Sequence, residues 1–329
     1  MVKVVGIVGV CAQERRRYTR RLAGGHRWPI VEALRSVPPS RLGESLSAAV
    51  AGGALAPTLL FDAGDRWDAP ELIGALGEGA TADDGAARLA QLVAVVDVAH
   101  LFDDLEAAAC GERLVQDVEF ASTVVLVNWQ PLATSDLSMV MALVNHLAPR
   151  ARLRLDQPAA NLDLDLGVVR REQDGAGWTR LINGEFTPYM TDARVSGFVY
   201  ENVRPFHAGR LADALEGDIG HGRYGRLVRS AGFCALASRP GRVAQWSQVG
   251  SVVGIEPLPL PDVSPLRASP PLAVGQELAV IGLDLDRPGL TRALDACVLT
   301  DGELAEGPLA WMAYRDPLPE WDRAEVRRE

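Results

Sequence analysis

The chain has 329 residues, 48% of them hydrophobic and 23% charged, with a formal net charge of −10. Those totals describe a globular protein of roughly two domains, and the negative charge argues against nucleic acid as the main partner. No run of about 18 apolar residues occurs, so no membrane span is expected.

The first element read from the pattern is a buried strand, Val4-Val-Gly-Ile-Val-Gly-Val10, a short apolar and β-branched run. Gly9 falls at its end, and from Glu14 the residues become helix formers rich in arginine. A strand, a tight turn and a helix at the start of a chain is how a phosphate-cradling α/β domain begins. The phosphate-binding loop proper is Gly-x-x-x-x-Gly-Lys-Ser/Thr. Its glycines let backbone N–H groups close on the phosphates, its lysine reaches the terminal ones, and its hydroxyl ligates magnesium. With Gly9 as the first glycine, Glu14 stands at the second, Arg15 at the lysine and Arg16 at the hydroxyl residue. A glutamate there has the wrong sign for a phosphate, and an arginine is no magnesium ligand. Lys3 is the only lysine in the chain, so no intact loop of this kind is encoded.

Short helices are expected over Pro29 to Arg35 and Leu42 to Val50. Pro57-Thr-Leu-Leu-Phe-Asp62 and Arg88-Leu-Ala-Gln-Leu-Val-Ala-Val-Val-Asp97 read as buried strands ending in carboxylates, with a helix between them over Ala69 to Leu76. Helices follow at Leu101 to Ala109 and Glu112 to Val118, then a third such strand, Ser122 to Asn128, and a helix over Ser135 to Leu147. Apolar strands alternating with helices predict a doubly wound parallel sheet, whose ligands sit at the carboxyl ends of the strands. Here those ends carry Gly9, Asp62, Asp97 and Asn128.

Residues 158–190 read as an acidic linker. Beyond it the order changes to a strand at Arg194 to Val203, a helix at Pro205 to Leu215, two strands at Leu227 to Ala237 and Val243 to Ile255, a proline-rich loop from Pro257 to Pro271, a strand at Gln276 to Leu283 and a helix at Arg287 to Ala296. That order predicts a smaller α+β domain on an antiparallel sheet. The expected division is 1–157, the linker 158–190, 191–321, and a charged tail 322–329.

Several strings in this second half resemble the CobW family of GTPases and metallochaperones. They are Gly197-Phe-Val-Tyr200, Arg204-Pro-Phe-His207, Val228-Arg-Ser-Ala-Gly-Phe-Cys-Ala-Leu-Ala-Ser-Arg-Pro240, Gln245-Trp-Ser-Gln248, Gln276-Glu-Leu-Ala-Val-Ile-Gly282, Leu294 to Asp301 and Asp316-Pro-Leu-Pro-Glu-Trp321. In the first half, Leu59-Leu-Phe-Asp62 with Asp68, and Val95-Val-Asp-Val-Ala-His100, resemble the family's switch region and the strand after it. The resemblance implies a P-loop-NTPase-like parallel sheet followed by a CobW C-terminal domain, with GTP and magnesium as cofactors and a role in metal homeostasis.

The departures from that pattern concern the chemistry. Besides the altered phosphate loop, the guanine-reading Asn-Lys-x-Asp is here Asn128-Trp-Gln-Pro131, and the Cys-x-Cys-Cys metal motif has no counterpart. The expectation is a pseudo-GTPase that has lost GTP and magnesium, has no catalytic or metal-ligating residue of the family's kind, and acts by binding a protein client or an active paralogue in the cytoplasm. The four cysteines lack a Cys-x-x-Cys spacing and fit a reduced compartment. The apolar start precedes its arginines, the reverse of a secretory signal.

The alternative expectation is a repurposed strand-end pocket that binds an anionic small molecule, with or without enzymatic activity, Gly9, Arg15, Arg16, Asp62 and Asn128 forming a vestigial nucleotide or anion site. Residual GTP hydrolysis with Arg15 replacing the lysine is the least favoured reading, because arginine is planar and bulkier. Asp62 and Asp97 read more as strand-end caps than as magnesium ligands, and Trp129 as a plug for the guanine space or a cover for the core edge. His207 reads as a locally bonded residue, Cys234 as a core thiol, and Cys11 as a thiol whose ionised form nearby arginines favour. His26, His100, His146 and His221 are too scattered to define a site.

Overall fold

The structure is a computed structural model that describes residues 2–32, 38, 41–51, 58–77, 87–157, 169, 175–258 and 275–321. The chain forms two compact units, Met1–Arg180 with Phe186–Asp192, and Leu181–Glu185 with Ala193–Glu329.

The first unit runs β1 (Lys3–Val8), α1 (Ala12–His26), β2 (Ile30–Glu32), α2 (Leu42–Ala51), β3 (Thr58–Asp62), α3 (Ala69–Leu76), β4 (Arg88–Asp97), α4 (Leu101–Glu106), α5 (Gly111–Phe120), β5 (Thr123–Val127), α6 (Thr134–Leu147) and β6 (Arg152–Leu155). Its strands form one parallel sheet in the order β2-β3-β1-β4-β5-β6. Both β3 and β5 are buried along their whole length, as helix-covered parallel strands are. On one face of the sheet Val5, Ile7, Leu60, Val93, Val95, Val125 and Val127 pack against Tyr18 and Leu22 of α1. Each such side chain taken fully from water contributes about 1.5–3 kcal/mol. The start of α3 is fixed by a capping box in which Asp68 accepts from the Glu71 N–H and Glu71 reaches back to Asp68, with a proline in the first turn.

Two strands differ from expectation. Ile30–Glu32 pairs in parallel with Leu60–Asp62 instead of opening a helix, while the rest of that expected helix, from residue 33, lies outside the described residues. Arg152–Leu155, with no strand expected, pairs with Thr123–Leu126. Both are edge strands of only three and four residues, too short to establish a periodicity. Of the expected linker, residues 158–168 and 170–174 lie outside the described residues, and a short helix, α7 (Gly177–Ile182), occupies its later part.

The second unit runs β7 (Val195–Asn202), α8 (Ala208–Glu216), β8 (Arg226–Ala235), β9 (Val243–Val249), β10 (Val252–Pro257), β11 (Gln276–Leu283), α9 (Arg287–Asp295), α10 (Asp301–Glu306) and α11 (Pro308–Trp311). Its sheet is antiparallel, in the order β10-β9-β8-β11-β7. Phe198, Tyr200, Phe206, Leu211, Trp246, Val280, Leu290 and Leu294 form the core between sheet and helices. The single strand expected over Val243 to Ile255 is a hairpin, because Gly250 takes φ 54° and reverses the chain. Most of the proline-rich loop (259–274) and the tail 322–329 lie outside the described residues.

Candidate functional site

The sheet order brings the loops after β1, β3 and β4 together. β1 lies between the other two strands, with Ile7 opposite Asp62 and Val8 opposite Ala94. Gly9 leaves β1 at φ 139°, and a Cβ there would stand 2.4 Å from the Val95 carbonyl oxygen. The position therefore requires glycine because β4 passes so close, whether or not a phosphate is ever bound.

Arg15 lies in the first turns of α1, and its side chain folds back into the β1–α1 turn. Its Nε donates to Asp62 Oδ1 at 2.7 Å, one Nη donates to the Gly9 carbonyl oxygen, and the other donates to Asp65 Oδ1 at 3.3 Å. Arg15 is 0% exposed and Asp62 4%. A guanidinium taken this far out of water needs a carboxylate and carbonyls around it to offset the loss of hydration. Asp62 Oδ1 also accepts from the Gly64 N–H at 3.1 Å, closing the turn after β3.

Of the five residues expected at an anion site, Gly9, Arg15 and Asp62 are thus joined in one bonded group. Arg16 and Asn128 take no part in that group. Arg16 is exposed on α1. Asn128 is half-buried at the end of β5 with φ 55°, a conformation asparagine tolerates. The adjacent Trp129 donates from Nε1 to the Asp156 carbonyl at 2.9 Å, tying the β5 loop to the end of β6. Arg21 of α1 pairs with the Asp156 carboxylate.

A second cluster lies beside the first. Cys11, at the N-cap of α1, donates from Sγ to Asp104 Oδ2 at 3.3 Å. Asp97, at the end of β4, is 4% exposed; its Oδ1 accepts from the Ala99 N–H at 3.0 Å and its Oδ2 is 2.9 Å from His100 Nδ1. Donor atoms of Cys11, Asp97 and His100 all lie within 4.8 Å of one another. This corrects two expectations. His100 is not scattered, because β1 and β4 are neighbours and their following loops converge. The Cys11 thiolate is not favoured: burial, then the Asp104 and Asp97 carboxylates, push the thiol up to about 12. Arg15, the arginine that lies closest in the chain to this turn and is buried in it, is committed to Asp62. His100 is held above the ordinary histidine range by its bond to Asp97.

In the second unit His207 caps α8, its Nδ1 accepting the Arg210 N–H at 3.3 Å, and its ring stacks on Tyr314 at 5.1 Å between centroids. Cys234 is fully buried in the core, and burial pushes its thiol up to about 12. No helix among the described residues is long and apolar enough to cross a membrane.

Residues 195–298 match the family model described as the cobalamin synthesis protein CobW C-terminal domain. The second unit contains such a domain. It is 25% identical over 242 residues to the zinc-regulated GTPase metalloprotein activator 1 of Dictyostelium discoideum, covering 65% of this chain and 50% of that one. It is 26% identical over 265 residues to the zinc chaperone Rv0106 of Mycobacterium tuberculosis, covering 71% of this chain and 62% of that one. The chain thus matches only about half to three-fifths of these relatives' length. The crystal structure of the Zn(II)-bound YjiA GTPase from E. coli superposes over 91% of this chain and 99% of its own at 14% identity, with a TM-score of 0.39, too loose a likeness to carry weight.

Proposed function

We propose that this chain is a CobW-family pseudo-GTPase that serves metal homeostasis by binding a protein partner, either a metalloprotein client or an active paralogue, in the cytoplasm. The observation that supports this reading is the Arg15 side chain. At the position where a phosphate loop places its lysine, a buried guanidinium bonds to the Gly9 carbonyl and Asp62. It holds a cation against the groups that would otherwise frame a bound magnesium-triphosphate. The residues present do not fit that ligand. Glu14 stands where a glycine should face it, Arg16 stands where a hydroxyl should ligate magnesium, and Pro131 stands where an aspartate should read guanine. No step through a nucleotide follows from this site.

The metal-handling setting is supported by the names of the two relatives, one a zinc-regulated metalloprotein activator and the other a zinc chaperone. A phosphate-release assay on the full chain with GTP and magnesium is expected to stay at the blank rate, and steady turnover would refute the reading. Deleting the gene in its native cell is expected to slow growth when zinc is limiting and not when it is replete. Equal growth in both media would remove the metal role.

A further inference from the structure

We propose that Cys11, Asp97 and His100 form a zinc-binding site at the mouth of the β1–α1 turn, with water in the fourth position. The site owes nothing to a Cys-x-Cys-Cys motif, which the chain lacks, and it stands on geometry independent of whether GTP is turned over. Donor atoms of Cys11, Asp97 and His100 already lie within 4.8 Å of one another, and Asp104 Oδ2 is 3.3 Å from the Cys11 sulfur. Donor atoms around a tetrahedral zinc ion stand about 3.3–3.8 Å apart, given bonds of about 2.0–2.3 Å to nitrogen, oxygen and sulfur. Closing Cys11, Asp97 and His100 on an ion therefore needs their donor atoms to draw in by about 1 Å.

The donor chemistry selects the metal. One thiol, one imidazole and one carboxylate form a mixed soft and borderline set that suits zinc and is poor for magnesium or calcium, which take oxygen alone. The backbone around the donors is fixed. Cys11 caps a 15-residue helix, and Asp97 ends a buried strand with its second oxygen on the Ala99 N–H. His100 is mostly exposed, its side chain 61% accessible, so an ion can enter from solvent at that corner. Two hydrogen bonds within the cluster, Cys11 to Asp104 and His100 to Asp97, give way to metal bonds. The sulfur–proton bond breaks, a sulfur–zinc bond forms, and the proton leaves to water; no oxidant or reductant is needed.

The site is tested by titrating zinc into the reduced full chain against a chromophoric zinc indicator, and by adding cobalt(II) in place of zinc. One zinc per chain is expected, with affinity lowered at least tenfold by Cys11→Ser and by His100→Ala. His221→Ala, in the other unit, is expected to bind as the parent does. Cobalt is expected to give a thiolate charge-transfer band that Cys11→Ser abolishes. Circular dichroism checks folding; should Cys11→Ser unfold, His100→Ala decides, since that ring is exposed. Unchanged zinc affinity in His100→Ala, or a thiolate band that survives Cys11→Ser, would overturn the proposal. Zinc binding combined with GTP turnover would leave this site standing and remove the pseudo-GTPase reading. No binding combined with no turnover would do the reverse.

Discussion

Arg15 of the first unit and three arginines of the second, Arg204, Arg210 and Arg239, work in opposite ways. In the first, Arg15 is sealed inside a turn and meets the carboxylate and carbonyl of neighbouring strand ends, so a cation occupies the core of what should be a ligand cradle. In the second, those arginines tie its outer segments to one another. Arg210 grips Glu303 of α10 with both Nη atoms and reaches the Val298 carbonyl, Arg239 grips Asp316, and Arg204 bonds the Leu299 carbonyl and Asp301. A clamp at the surface can be cut at modest cost. A buried pair cannot lose one member without stranding the other. On the proposed reading the first unit holds an internal ion pair where a ligand would otherwise lie, whereas the clamps of the second serve the fold.

That contrast sets an order of expected effects. Arg15→Ala leaves Asp62 buried and uncompensated and is expected to destabilise the first unit by about 3–5 kcal/mol. Asp62→Ala should cost a similar amount, and the double variant well under the sum, because each change removes the same pair. Urea denaturation of the four proteins checks this; additive losses would mean that the pair is not coupled.

Asp117 of α5 offers a second probe of the first unit. It is fully buried; one oxygen accepts the Ala69 N–H at 3.0 Å, the other has no hydrogen-bond partner among the described residues, and Arg113 Nε is 3.8 Å away. Burial pushes its carboxyl up to about 7 from an ordinary 3.8. The folded state therefore holds a proton that the unfolded chain has released between those values, and stability falls as pH rises from about 4 to about 7. Asp117→Asn is expected to flatten that fall and to gain on the order of 1–2 kcal/mol at pH 8. Thermal melts across the range read it directly.

Glu303 in the second unit runs the other way. Arg210 and the Thr300 groups hold its carboxyl down to about 2. Its contribution is present above the ordinary carboxylate range and is lost as pH falls toward 2. Glu303→Gln is expected to cost below about 1 kcal/mol at neutral pH, since solvent screens the pair.

Much of this fold was legible. The strands β1, β3, β4 and β5 are predominantly apolar runs, and their order with the helices predicts a parallel sheet. The edge strands β2 and β6 escaped because they are three and four residues long and carry polar positions. At the site, Gly9 and Asp62 were legible as strand ends. Arg15 was legible as standing in the lysine position; only the alternative reading has its side chain lining a pocket, and in the structure it fills the turn from within. The Cys11–Asp97–His100 cluster spans residues about 90 positions apart, and only the β1–β4 pairing brings them together. A cysteine after one strand and an Asp-x-x-His after its neighbour was the signal available.

The central claim is that the nucleotide cradle is closed by Arg15 itself. Isothermal calorimetry of GTP with magnesium against the full chain tests it most directly. The expected result is no heat of binding across the titration, and a saturable isotherm with a micromolar dissociation constant would contradict it.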